Sequence, residues 1–262
     1  KLRGGVEQLI LANRIALIRG EAQIAAPGRV TVTSDGEIRT LTADHILIAT
    51  GAKPVCPPIA GRELPGVVTS DGLLTGSPRF PEKLVIVGGG VIGVEFASAF
   101  SAFGSHVTLI EALPRLLANM DRELSQNLSM ILKKRGVELV TDAAVERIEQ
   151  IPDGLLCRFS HRGESASVQA DQLLIATGRR ADTEGLFADG LLIERDRGAL
   201  RVNERFETSV PGIYAIGDAM AGGIQLAHAA SAQGENAVAA ICGEPMPVNL
   251  AAVPSCVYTD PE

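Results

Sequence analysis

Four scarcities bound this 262-residue chain before any motif is read. It has no Trp and only 3% aromatic residues against 28 Gly, a balance that suits an α/β protein with Gly-cornered turns. Its runs of Val, Ile, Leu and Ala are too short to cross a bilayer, so no membrane partner is expected. Basic residues number 24 against 31 acidic ones, and the net charge of -7 offers no electropositive field to a polyphosphate backbone. Nucleic acid is therefore not expected as a partner either. The four cysteines, Cys56, Cys157, Cys242 and Cys256, stand too far apart for a CxxC redox pair or a zinc knuckle, and no metal site is expected. They read as small buried hydrophobes in a reducing, cytoplasmic setting. The start, Lys1-Leu2-Arg3, carries no initiating Met and no basic-apolar-small leader, and reads as a cut edge rather than a signal peptide.

What is present is apolar and repetitive. Hydrophobic residues make up 46% and charged residues 21%, enough for one large core or two modest ones. Residues 43–51 (ADHILIATG) and 170–178 (ADQLLIATG) agree at seven of nine positions. Each reads as a buried parallel strand ending in a small Thr-Gly corner, where backbone can approach a ligand at the sheet edge. Two related nucleotide-binding units account for the repeat better than two unrelated strands sharing a turn.

Between the repeats lies a complete dinucleotide-binding pattern. A strand over 83–88 (KLVIVG) runs into glycines 88, 90 and 93 at GxGxxG spacing, then a small-residue helix over 91–103 that stops at Gly104. A second strand over 106–110 ends on Glu111. Gly88 permits the tight turn, Gly90 lets a pyrophosphate approach, and Gly93 lets the helix pack closely on the strand. A lone GxGxxG is weak, but strand, helix and acid are all in place here.

Downstream, Asp121 caps an expected helix bearing Leu124, Leu128, Ile131 and Leu132 on one face and ending in Lys133, Lys134 and Arg135. A strand over 137–140 precedes a β meander over 145–151, 155–160 and 166–170. Further strands are expected over 198–202 and 213–216, then an Ala-rich helix over 226–241. The tail from Pro245 ends in what reads as the first strand of another element.

Four residues invite chemistry. Glu111 can accept hydrogen bonds from the adenosine ribose and repel a 2′-phosphate, favouring NAD over NADP, although Arg115 four positions on is able in principle to hold such a phosphate. Glu95 is the only charged residue between Lys83 and Glu111, and no cation stands near it in the sequence; it either needs a partner or simply faces solvent near the helix start. Asp218 ends a strand at a Gly-Asp corner, as a ligand for a polyhydroxylated chain or as a turn-capping acid. His228 stands at a helix start, where structural and catalytic roles are both open.

ILIATGAKP at 46–54, GGGVIGVE at 88–95, LLIATGRRADT at 173–183, GIYAIGDA at 212–219 and QLAHAASAQG at 225–234 together resemble the pyridine-nucleotide disulfide oxidoreductase family, and AIGD followed by LAH is most similar to its dihydrolipoamide dehydrogenase branch. The resemblance implies that Gly88, Gly89, Gly90, Val91, Ile92, Gly93, Val94, Glu95, Glu111, Val145 and Gly178 line NAD, with Val91 near the nicotinamide and Glu95 paired with a lysine beside the flavin. It implies further that Thr50, Gly51, Gly217, Asp218, Gln225, Leu226, Ala227 and His228 border FAD.

The chain departs from that family in having a single Gly-rich loop and no CxxxxC redox pair, so none of the redox cysteines is present. The expected architecture is α/β: a Rossmann-like NAD-binding domain at 81–181 inserted in a truncated FAD-binding domain at 1–80 and 182–247, each with a β meander, followed at 248–262 by the start of a dimerisation domain. By resemblance the parent enzyme is a homodimer that takes electrons from dihydrolipoamide, carried on a domain of a 2-oxo acid dehydrogenase complex, through a disulfide and FAD to NAD. This fragment alone is expected to be inactive and to lack FAD. Within the family an NADH oxidase is the rival; a noncatalytic nucleotide-binding module is the rival of another class.

Overall fold

In a computed structural model of the protein, residues 2–76 and 80–261 are described; 77–79, at the end of the first expected FAD-binding segment, and Lys1 and Glu262 lie outside the described residues. The chain divides into two compact units, unit 1 over 1–52 and 181–253, unit 2 over 53–180 and 254–262.

Unit 1 begins with α1 (Leu2–Ala12) and an antiparallel meander of β1 (Glu21–Ala26), β2 (Arg29–Ser34) and β3 (Glu37–Thr42). Then comes β4 (Ile46–Ile48), the first of the two repeated strands, and the chain leaves the unit along β5 (Ala52–Pro54).

Unit 2 opens with β6 (Val67–Thr69) and α2 (Ser70–Thr75), whose first turn is capped by the Thr69 hydroxyl. There follow β7 (Lys83–Val87), α3 (Val91–Ala102), β8 (His106–Ile110), α4 (Arg122–Lys134) and β9 (Glu138–Val140). Asp121 caps α4 as expected, its Oδ1 accepting from the Glu123 N–H at 2.7 Å, and Lys133 and Lys134 complement the carbonyl end of that helix. The second meander, β10 (Ala143–Ile151), β11 (Gly154–His161) and β12 (Glu164–Ala170), is antiparallel throughout and leads to β13 (Gln172–Ile175), the second repeated strand.

A five-stranded parallel sheet in the order β6-β13-β7-β8-β9 is the frame of unit 2. Alternation along its strands divides the core in two. Leu84, Ile86, Val107, Leu109 and Leu174 pack toward α3 and α4, while Val85, Val87, Ile110, Leu173 and Ile175 pack toward the meander. With both faces covered, these strands read as unbroken apolar runs, and each fully buried Leu or Ile contributes about 1.5–3 kcal/mol.

The chain returns to unit 1 along β14 (Arg179–Ala181), then forms β15 (Arg195–Asp196), β16 (Ala199–Leu200), β17 (Ile213–Ala215) and α5 (Ala227–Cys242). Parallel pairing of β17 with β4, Ile213 against Ile46 through Ala215 against Ile48, joins segments more than 160 residues apart.

The compact units divide the chain at 52/53 and 180/181, and β6 adds to the parallel sheet beside β13; the expected domains, 1–80 with 182–247, 81–181 and 248–262, are a proposal about cofactor binding that this division leaves standing. Several expectations are revised. The strand expected at 198–202 is confined to Ala199 and Leu200. No strand forms among 254–261, which join unit 2. Only Cys157 is a buried hydrophobe, whereas Cys56, Cys242 and Cys256 are exposed. Among the described residues no helix is long and apolar enough to cross a membrane.

Candidate nucleotide-binding site

The parallel sheet of unit 2 delivers three loops to one edge. Gly88 leaves the carboxyl end of β7, Glu111 that of β8, and Ala176-Thr177-Gly178 that of β13. Ligands of open α/β sheets collect at this carboxyl edge.

Contacts within the Gly-rich loop leave no room for side chains. Gly88 has φ +113°, and a Cβ there would stand 2.4 Å from the Ala176 carbonyl oxygen. A Cβ on Gly93 would meet the Gly88 carbonyl oxygen at 1.9 Å, which fixes how closely α3 lies on the turn. Gly90 differs: it is exposed, and a Cβ there would meet nothing within 4 Å. Its open side leaves room beside the turn that a Cβ would fill.

Gly90 is also the residue that precedes α3, and no side chain caps that helix start. The first N–H groups of α3 therefore keep their donors, at the positive end of the helix dipole, for an anion.

Glu111 is tied into the same rim. One carboxylate oxygen accepts the Gly89 N–H and the other the Leu113 N–H at 2.7 Å. Each oxygen retains a lone pair, which suits two hydroxyl donors such as those of a ribose. The Glu111 carbonyl accepts from the Ala143 N–H at 3.0 Å, bringing the start of β10, and Val145 two residues on, toward the loop.

Arg115 is committed elsewhere. Its guanidinium donates to the carbonyl oxygens of Ala118 at 2.6 Å, Met120 at 3.0 Å and Leu117 at 3.4 Å, closing the loop ahead of α4. A cavity of about 730 Å³ lined by Arg115, Arg122, Ser129, Lys133 and Leu139 lies along α4 and β9; it shares none of the Gly88–Glu95 loop residues.

Glu95 has a partner that the sequence did not reveal. Its Oε1 accepts the Tyr258 main-chain N–H at 2.9 Å, a contact between residues 163 apart that no local pattern announces.

In unit 1 the carboxyl ends of β4 and β17 bring Thr50, Gly51, Gly217 and Asp218 to one edge of a shared parallel pair. The Thr50 hydroxyl donates to the Asp182 carbonyl at 2.7 Å, and the Asp182 N–H to the Gly51 carbonyl at 2.9 Å. The Gly217 N–H donates to the buried Gln233 Oε1 at 2.7 Å, and the half-buried Asp218 is the central residue of the 3-10 turn, Gly217–Ala219, that follows β17. Gln225 precedes α5, Leu226 stands at its start without a side-chain cap, and Ala227 and His228 form its exposed first turn.

A strand, Gly-rich turn and helix backed by an acid on the next strand define an α/β protein of the dinucleotide-binding class. The family profile of pyridine nucleotide-disulphide oxidoreductases matches residues 1–234, and the chain belongs to that family. It is 36% identical over its whole length to dihydrolipoyl dehydrogenases of Geobacillus stearothermophilus and Bacillus subtilis, of which it covers 55% and 56%. Among solved structures it is similar to the HOCl-induced flavoprotein disulfide reductase RclA of Escherichia coli, with a TM-score of 0.85 and 35% identity over 96% of this chain and 57% of that one. LpdA of Mycobacterium tuberculosis superposes with a TM-score of 0.86 at 28% identity, over 98% of this chain and 57% of that one. The chain thus spans a little over half the length of these relatives.

Proposed function

We propose that unit 2 binds NAD(H) and that unit 1 supplies part of an FAD site, within a protein that oxidises dihydrolipoamide with NAD. The nucleotide assignment is carried by one observation: the uncapped start of α3 is held by the Gly88–Gly93 contact directly beside Glu111. The loop over 88–94 holds the diphosphate, Val91 lies toward the nicotinamide, and Glu95, Val145 and Gly178 line the nucleotide. Glu111 accepts the ribose hydroxyls and disfavours a 2′-phosphate.

In unit 1, Asp218 accepts hydrogen bonds from ribityl hydroxyls, Thr50, Gly51 and Gly217 border FAD, and Gln225 through His228 meet the flavin mainly through backbone groups. FAD, when bound, supplies the two-electron relay between a dithiol and the nicotinamide. The residues of this chain orient the two cofactors and contribute no redox cysteine.

The family and the dihydrolipoyl dehydrogenase relatives support this reading, together with a dithiol on a carrier domain of a 2-oxo acid dehydrogenase complex as partner, a homodimeric enzyme and a cytoplasmic setting. Titrating the 262-residue chain with NADH in a calorimeter tests it. One site per chain, weakened at least tenfold by Gly90→Ala, is the expected result; no saturable binding removes the assignment.

A further inference from the structure

We propose that residues 257–260 form a strap across α3 whose Tyr258 main-chain N–H positions the carboxylate of Glu95 and restrains its charge next to the nucleotide. The proposal rests on the nucleotide site assigned above. Three polar contacts define the strap. The Tyr258 N–H donates to Glu95 Oε1 at 2.9 Å, the Asp260 N–H donates to the Ser98 hydroxyl at 3.2 Å, and Arg135 just beyond α4 pairs with Asp260 at 2.6 Å. Just ahead of them in the chain, the half-buried Val257 packs on the core shared by α3 and α4.

The local geometry explains the fit. Glu95 and Ser98 are three residues apart and therefore adjacent on one helix face, and the Thr259 N–H donates back to the Val257 carbonyl at 3.0 Å, so the donors of Tyr258 and Asp260 come from one tight turn. The ion pair is exposed on its Asp260 side and adds little by itself, so the main-chain bonds and Val257 carry the docking.

Glu95 stands one residue past the first turn of the helix whose start is the expected diphosphate site, and it is the one acidic residue of α3. A carboxylate there opposes a diphosphate through space. A charge-assisted bond from Tyr258 draws density onto one oxygen and holds the side chain in a single orientation, which reduces that opposition. With the donor gone, the same carboxylate is free to swing toward the loop.

The test is a cycle of variants of the whole chain, read by NADH affinity at low and high salt. Tyr258→Pro deletes the donor, Glu95→Gln deletes the charge, and Ser255→Pro places a proline at an exposed position of the same tail that makes none of these contacts. Tyr258→Pro is expected to weaken NADH at least threefold at low salt, with most of the loss disappearing at high salt. In the Glu95→Gln background the same substitution should change affinity less than twofold, and Ser255→Pro should match the unsubstituted chain. An equal loss in both backgrounds, or no loss at all, overturns the proposal. Amide exchange separates the two premises: slow exchange at Tyr258, made at least tenfold faster by Glu95→Ala, which removes the acceptor, establishes the strap even if NADH does not bind. Exchange at Tyr258 at the rate of an unstructured amide overturns the strap even if NADH binds tightly.

Discussion

The Glu111 carboxylate accepts the main-chain N–H of Gly89, so the acid at the tip of β8 and the loop at the tip of β7 form one continuous rim. The same carboxylate holds the Leu113 N–H, which fixes the direction of the chain beyond the strand. One side chain therefore ties the loop beyond β7 to the chain beyond β8.

The glycines of this rim separate structure from binding. Gly93→Ala places a methyl 1.9 Å from the Gly88 carbonyl oxygen, and chemical denaturation should register a loss of about 1–3 kcal/mol together with loss of NADH binding. Gly90→Ala meets no neighbour, so stability should be retained while NADH affinity falls at least tenfold, roughly 1.4 kcal/mol. Unchanged affinity in Gly90→Ala would place the diphosphate elsewhere.

Arg115 clamps the loop ahead of α4 through three carbonyl oxygens. Its removal in Arg115→Ala leaves the carbonyls of Leu117, Ala118 and Met120 without their shared donor, for an expected loss of about 1–2 kcal/mol in urea unfolding. NADPH affinity should not fall; a marked drop would make Arg115 a 2′-phosphate ligand after all.

How much of this was legible in the residues follows the range of the interactions. KLVIVGGG, the Asp121 cap and the alternating meander strands are local chemistry, and β7, α3, α4 and the second meander lie within a residue or two of their expected positions. The repeated ATG strands also appear where read, as β4 and β13. What escaped is decided at long range. Three-residue β6 has no periodicity to detect and becomes a strand by pairing with β13 over 100 residues on. Helix α1 carries Gly4 and Gly5 in its first turn and most of its described apolar residues, Val6, Leu9 and Leu11, are exposed, so neither a cap nor burial announces it. The Tyr258 partner of Glu95 and the exposure of three cysteines are likewise tertiary facts.

Cys157 is fully buried between β-meander side chains, and burial pushes its thiol up from 9.0 to about 12. The unfolded thiol ionises near its ordinary value while the folded one stays protonated, so the group's contribution is intact below pH 9 and is lost as pH rises toward 12. In the folded chain at pH 8, mass spectrometry after brief alkylation should find Cys56, Cys242 and Cys256 modified and Cys157 spared. Modification of Cys157 at the same rate would contradict its burial.

Unit 1 brings Asp218 and Thr50 to one sheet edge, but the sequence holds a single Gly-rich loop, and that loop belongs to unit 2. A second diphosphate therefore finds no second turn of that Gly-rich kind in this sequence to approach. The purified 262-residue chain should be folded and colourless, with no lipoamide-dependent NAD reduction. Near-stoichiometric flavin absorbance would show that the FAD contacts assigned to unit 1 suffice without such a loop.

Calorimetric titration of the chain with NADH and, separately, NADPH under one buffer and salt condition tests the central assignment most directly. Glu111 at the tip of β8, with Arg115 engaged by three carbonyls, leads to NADH binding at least tenfold tighter, about 1.4 kcal/mol or more. Equal affinities, or tighter NADPH, would contradict it.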